Sequence, residues 1–170
     1  LQQQLYQAAI TLAKKTHLPY EISPDKSDAI HVVTFGNEDK TPFVHELDQH
    51  CNVIHTSVTH RTTLEQFKTL LEKTRTHKRL ITTVHLPSRS GMIELNEHDE
   101  PAEHMDWARR MCADKTLVLF GNPYNVEYFK QAADIVVAYE PHPVAQQAAA
   151  LTVLGKHCPR ATLPVTWCNR

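Results

Sequence analysis

Two short runs, Thr116–Phe120 (TLVLF) and Asp134–Tyr139 (DIVVAY), set the tightest limit on how this chain can fold. Each is too short for a typical helix and too continuously apolar for a strand with one face in water. Bounded by turn residues and rich in β-branched side chains, such a run is a strand buried on both faces. Gly121-Asn122-Pro123 ends the first run, and Val126 to Ala132 reads as a short helix. Strand, helix and strand form a βαβ unit, whose strands are expected to run parallel through a right-handed crossover. An alanine-rich segment with helical spacing, Pro143 to Leu154, comes next. The last third therefore reads β-α-β-α, which predicts an α/β class with helices packed on an open sheet.

The upstream sequence supplies three more strands: His31–Phe35 (HVVTF), Asn52–Val58 (NVIHTSV) and Leu80–Leu86 (LITTVHL). Helices are predicted between them. Pro42–His50 has Thr41 as N-cap and proline at its first position. Thr62–His77 carries Leu64, Phe67, Leu70 and Leu71 on one face, with Thr62 or Thr63 as cap and Glu65 in the first turn. Pro101–Cys112 points Met105, Ala108 and Met111 inward, with Asp99 as its expected cap and Glu100 complementing its dipole. At the start, Leu5, Ala8, Ala9, Leu12 and Ala13 recur at helical spacing, so Gln2–Lys15 is expected to be one amphipathic helix. Met92–His98 has no clear pattern, Gly155 stops the last helix, and Ala161–Trp167 is expected to be extended at or outside a sheet edge because of Pro164. The expected architecture is one domain over residues 1–170, a three-layer α/β/α sandwich around a mainly parallel sheet of five to six strands.

Composition narrows the function classes. Lys and Arg number 18 against 19 Asp and Glu, so no basic excess points to nucleic acid. No apolar run approaches the roughly 20 residues that span a bilayer. The opening Leu1-Gln2-Gln3-Gln4 lacks the features of a signal peptide, and it begins without methionine inside an expected helix, as an excised piece of a longer chain would. Cys51, Cys112, Cys158 and Cys168 form no C-x-x-C pair, so free buried thiols are expected rather than a metal site or a Cys158–Cys168 bridge. The 12 histidines are scattered, which argues against one metal cluster.

In open parallel sheets, ligands lie beyond the carboxyl ends of the strands. Those ends carry Asn37, then His60 and Arg61, then His85, Ser88 and Arg89, then Asn122 and Tyr124, then Glu140 and His142. This polar rim suits a polyhydroxylated ligand, and His85, Ser88, Arg89, Asn122 and Tyr124 are its expected binding residues. Val44-His45-Glu46-Leu47-Asp48-Gln49-His50 misses the zinc-protease pattern because Gln49 stands where histidine is needed; a solvated helix surface is the better reading. Ser88 near His85 lacks the G-x-S-x-G surroundings of a nucleophile elbow. With four glycines and neither G-x-G-x-x-G nor a P-loop, no cofactor and no metal is expected, and Gly36-Asn37-Glu38-Asp39 is too acidic for a phosphate.

The run from Leu117 to Trp167 resembles the C-terminal domain of family 3 glycoside hydrolases. The residues that carry the likeness are Phe120-Gly121-Asn122-Pro123-Tyr124, Ala133-Asp134 with Ala138-Tyr139, Ala145-Gln146 with Ala148-Ala149 and Gly155, and Leu163-Pro164-Val165. Ala9-Ile10-Thr11-Leu12-Ala13-Lys14 with Leu18-Pro19 is similar to the family's lead-in, with Lys15 where asparagine is usual. The resemblance favours the β-N-acetylhexosaminidase-like branch over the larger β-glucosidases. It implies an N-terminal (β/α)₈ barrel as partner in the same chain, carrying the catalytic aspartate. It also implies a carbohydrate substrate and a periplasmic or secreted location. No catalytic residue is expected within these 170 residues. Glu97, Glu100 and Glu140 are the candidates if this domain lends a carboxylate, as it does in the β-glucosidase branch. Two other readings stay open: an independent flavodoxin-like module for a nucleotide, flavin or small polar ligand, and a hydrolase built on Ser88 and His85.

Overall fold

The computed structural model describes residues 2–23, 28–37, 39–86 and 100–160. The elements run α1 (Gln2–Ala9), β1 (Thr11–Lys14), β2 (Ala29–Phe35), α2 (Pro42–His50), β3 (Asn52–Val58), α3 (Leu64–Thr74), β4 (Leu80–His85), α4 (Glu100–Cys112), β5 (Thr116–Phe120), a 3₁₀ helix (Pro123–Phe129), β6 (Asp134–Ala138) and α5 (Pro143–Val153). The sheet has six strands in the order β1-β6-β5-β4-β2-β3. The five strands expected from the sequence all run parallel to one another.

Strand side chains alternate between two cores, which makes the molecule a three-layer sandwich. On one face Ile30, Val32, Ile81, Val118, Phe120 and Val136 pack under Phe43, Val44 and Leu47 of α2 and the alanines of α5. On the other, Val33, Phe35, Val84, Leu117, Leu119 and Val137 meet Phe67 of α3, Met105, Ala108 and Met111 of α4, and Phe129. Alanines at 145, 148, 149 and 150 let α5 lie close to the sheet and to α2, all of them buried. Thr63 caps α3 through a reciprocal bond pair with Gln66, which sets where that helix begins.

Three expectations need correction. Gln2–Lys15 is not one helix: it stops at Ala9, and Thr11–Lys14 pairs antiparallel with β6. The apolar spacing of so short a segment is compatible with either state, and the backbone groups along the open side of β6 decide it by offering a ladder. The crossover between β5 and β6 is a 3₁₀ helix that starts at Pro123, three residues before the expected helix. Asn122 caps it by accepting from the Tyr124 N–H at 3.0 Å, and Pro123 supplies the helical φ at its first position. Leu64, expected on the inner face of α3, is 42% exposed. Asp99, the Met92–His98 stretch and the Ala161–Trp167 tail lie outside the described residues.

Candidate functional site at the carboxyl edge of the sheet

The strand order places a topological switch point between β2 and β4. These strands are neighbours, yet β2 leads into α2 on one face while the chain after β4 reaches α4 on the other. Connections that part in this way leave a crevice beyond the strand ends, where ligands of open α/β sheets bind.

Bare backbone and one imidazole stand at the described ends of β2 and β4. Gly36, at φ +87°, follows β2 so closely against β4 that a Cβ there would stand 2.6 Å from the His85 carbonyl oxygen. Beside it the Leu86 N–H donates to the Phe120 carbonyl at 2.9 Å, so β4 and β5 stay joined to their ends. A Cβ on Gly121 would stand 2.9 Å from that of Leu86. The His85 ring stacks on Phe120 with centroids 4.6 Å apart and planes at 24°. Phe43, near the start of α2, meets Phe120 edge-on, with ring centroids 6.0 Å apart. Burial pushes the His85 imidazole down to about 4, so it is neutral at physiological pH. Its Nε2 is buried and has no hydrogen-bond partner among the described residues.

A second polar group lies on the same face of the sheet. The Thr83 hydroxyl donates to Thr34 Oγ1 at 3.0 Å, and Thr34 Oγ1 lies 3.0 Å from His55 Nε2. Burial, with Lys40 nearby, lowers the His55 pKa, which favours a neutral ring accepting from Thr34. Lys40 itself is paired with Asp48. The amides at the start of α2 are already taken: Phe43 N–H by Gln146 Oε1, Val44 N–H by Thr41 Oγ1 and His45 N–H by the Thr41 carbonyl. With Pro42 bringing no N–H, that helix end offers no phosphate cradle, which counts against a nucleotide or flavin module.

The expected site residues divide. His85, Asn122 and Tyr124 stand at the ends of adjacent strands, on one edge. Tyr124 is 58% exposed. The Asn122 side chain is engaged in its own turn, which gives it a capping role that the sequence reading did not assign. Ser88, Arg89 and Glu97 lie outside the described residues, as does the Glu100 side chain, while Glu140 is exposed at the end of β6. His45 is exposed and His50 bonds Glu46 along α2, as a solvated helix surface would have them. Among the described residues no group of His, Cys, Asp and Glu is arranged to hold a metal. Cys51 and Cys112 are buried thiols outside any disulfide, while Cys158, also outside one, is exposed.

The motifs at the two ends of the chain meet on the opposite flank. The buried Asp134 carboxylate accepts three backbone N–H groups, from Thr16 at 2.6 Å, His17 at 2.9 Å and Leu18 at 3.1 Å. Lys14 Nζ donates to the Ala132 carbonyl at 2.7 Å and that of Lys130 at 3.2 Å. Gly155, at φ +68°, lies against Pro19, where a Cβ would come within 2.8 Å of the ring. Nothing in local periodicity identifies Asp134 as a clamp; its one signal is a carboxylate at the head of a buried strand.

No protein-family model matches the chain, and no curated protein matches it in sequence. Its fold does match solved structures. A glycoside hydrolase family 3 β-N-acetylglucosaminidase from Paenibacillus sp. FPU-7 superposes at TM-score 0.68 with 18% identity, over 95% of this chain and 31% of that one. A fungal multi-domain family 3 β-N-acetylglucosaminidase gives 0.70 and 21%, over 98% and 19%. A Listeria innocua β-glucosidase gives 0.63 and 13%, over 90% and 24%. The chain thus spans between about a fifth and a third of the length of these neighbours. No helix among the described residues is long and apolar enough to cross a membrane. The mainly parallel six-stranded sandwich is the fold of the family 3 glycoside hydrolase α/β domain that the sequence motifs resemble.

Proposed function

We propose that residues 1–170 are the accessory C-terminal domain of a family 3 glycoside hydrolase, packed on an N-terminal (β/α)₈ barrel of the same polypeptide. The parent enzyme hydrolyses terminal β-linked sugars, with N-acetyl-β-glucosaminides ahead of β-glucosides. One observation carries this reading: the motif residues that resemble the family also tie the fold together. Asp134 clamps the segment after β1, Lys14 closes the turn before β6, and Gly155 seats Pro19. A chance likeness between unrelated sequences gives no reason for residues so far apart to meet in this way.

The barrel supplies the nucleophile and, in the hexosaminidase-like branch, the acid/base, so this domain contributes a wall rather than the chemistry. The carboxyl edge with His85 and Tyr124 is the wall that faces the sugar or the barrel. The two β-N-acetylglucosaminidases among the structural neighbours support the hexosaminide preference. The test is an assay of aryl N-acetyl-β-glucosaminides and aryl β-glucosides with two proteins. Residues 1–170 alone are expected to be inert, and the polypeptide of the full reading frame to turn over the glucosaminide faster. Activity of residues 1–170 that is lost on mutating a residue within them refutes the accessory role, and a reading frame without a barrel refutes the parent assignment.

A further inference from the structure

We propose that His85 Nε2 is a hydrogen-bonding contact for a hydroxyl of a neutral sugar, seated in the crevice between the ends of β2 and β4. This rests on the glycosidase reading above and names a residue and an atom for it. Four observations point to that contact. The switch point puts the crevice there, by topology alone. Gly36, with no side chain, lies directly over the His85 carbonyl and leaves backbone exposed at the mouth. The stack on Phe120 fixes the His85 ring plane and hence the direction of its nitrogens. Nε2 is buried without a partner among the described residues, and a buried polar atom left in that condition is costly unless something else satisfies it.

The chemistry selects a neutral ligand. A neutral imidazole has one donor and one acceptor nitrogen, and a hydroxyl satisfies either. The α2 amides that would draw an anion are engaged, and the cation after β2, Lys40, is paired with Asp48. Tyr124 stands exposed at the end of the neighbouring strand, where its ring offers an apolar face and its hydroxyl a polar tip.

His85→Phe tests the contact, because it keeps a ring against Phe120 and removes both nitrogens. The protein is the full reading-frame polypeptide. The probes are N,N′-diacetylchitobiose and cellobiose, measured by calorimetric titration and by thermal melting. The expected result is an unchanged or higher melting temperature with sugar binding weakened about tenfold, the loss of one hydrogen bond. His85→Gln, which restores a donor and an acceptor, should recover part of that affinity. Unaltered affinity in His85→Phe overturns the proposal while leaving the glycosidase reading in place. Unaltered affinity together with a new, separate melting step also overturns it, and marks Nε2 as a contact between domains. If His85→Phe fails to fold, His85→Leu takes its place: a folded His85→Leu with weakened sugar binding supports the contact, and one with wild-type affinity overturns it. A wild-type polypeptide that neither binds nor hydrolyses either sugar overturns both readings.

Discussion

Gly36 and the His85 carbonyl oxygen are so close that a Cβ on Gly36 would stand 2.6 Å away. The two residues end adjacent parallel strands, so this approach sets the spacing of the crevice floor. Gly36→Ala adds a Cβ at positive φ and against backbone, which has no rotamer to yield. The expected cost is about 2 kcal/mol or more, read as a lower urea midpoint with the slope unchanged. A change below the error of the denaturation curve contradicts this account.

Asp134 is expected to be the most sensitive acidic residue among those described. Asp134→Ala leaves the amides of Thr16, His17 and Leu18 without their common acceptor. The expected loss is about 3 to 5 kcal/mol, the range for breaking a buried hydrogen-bonded cluster. Hydrogen exchange should show those amides opening first, with β1 following. Asp134→Asn retains one acceptor oxygen and should fall between the variant and the wild type. Slow exchange at those amides in Asp134→Ala contradicts the clamp.

Stability should fall as the pH is lowered from 7 to 5. The His85 pKa lies near 4 in the folded protein, against 6.5 when unfolded. Between those values the unfolded state binds more protons, so acid favours unfolding; the His85 contribution is full above about 6.5 and is lost as the pH falls toward 4. His31 and His55 act in the same direction, since burial lowers both. Full loss of the His85 contribution is of order 3 kcal/mol. Urea denaturation at pH 7, 6 and 5 measures the slope, and His85→Phe should flatten it. A wild-type curve level from pH 7 to 5 refutes the assignment.

Asn122 and Tyr124, on either side of Pro123, should separate by role. Asn122→Ala removes a cap and should cost about 1 kcal/mol of stability. Tyr124→Ala removes an exposed ring and should change stability by less than about 0.5 kcal/mol. A sugar-binding loss in Tyr124→Ala without a melting shift places Tyr124 on the ligand side of the edge; a melting shift as large as that of Asn122→Ala makes it a packing residue.

Five strands and most helices were legible in the sequence because their signals are local. Continuous apolar runs such as Thr116–Phe120 have one good fate in a chain this size, burial on both faces, and Thr41 and Thr63 announce their helices by capping chemistry. What the sequence left open depends on neighbours far along the chain. Thr11–Lys14 becomes a strand because β6 offers an unpaired edge, and Lys14 and Thr16 are held by carbonyl and carboxylate groups more than a hundred residues away. Gly36 reads from sequence as a strand end, and only the β2–β4 pairing reveals that its missing side chain lets two backbones meet. His85 was visible as a polar residue at a strand end, but its neutrality comes from burial beside Phe120, an environment the fold creates. Residue type and spacing are properties of a segment, so the sequence determines them. Solvent exposure and long-range hydrogen bonding are properties of the packed sheet, so tertiary structure alone decides which polar residue is left without a partner.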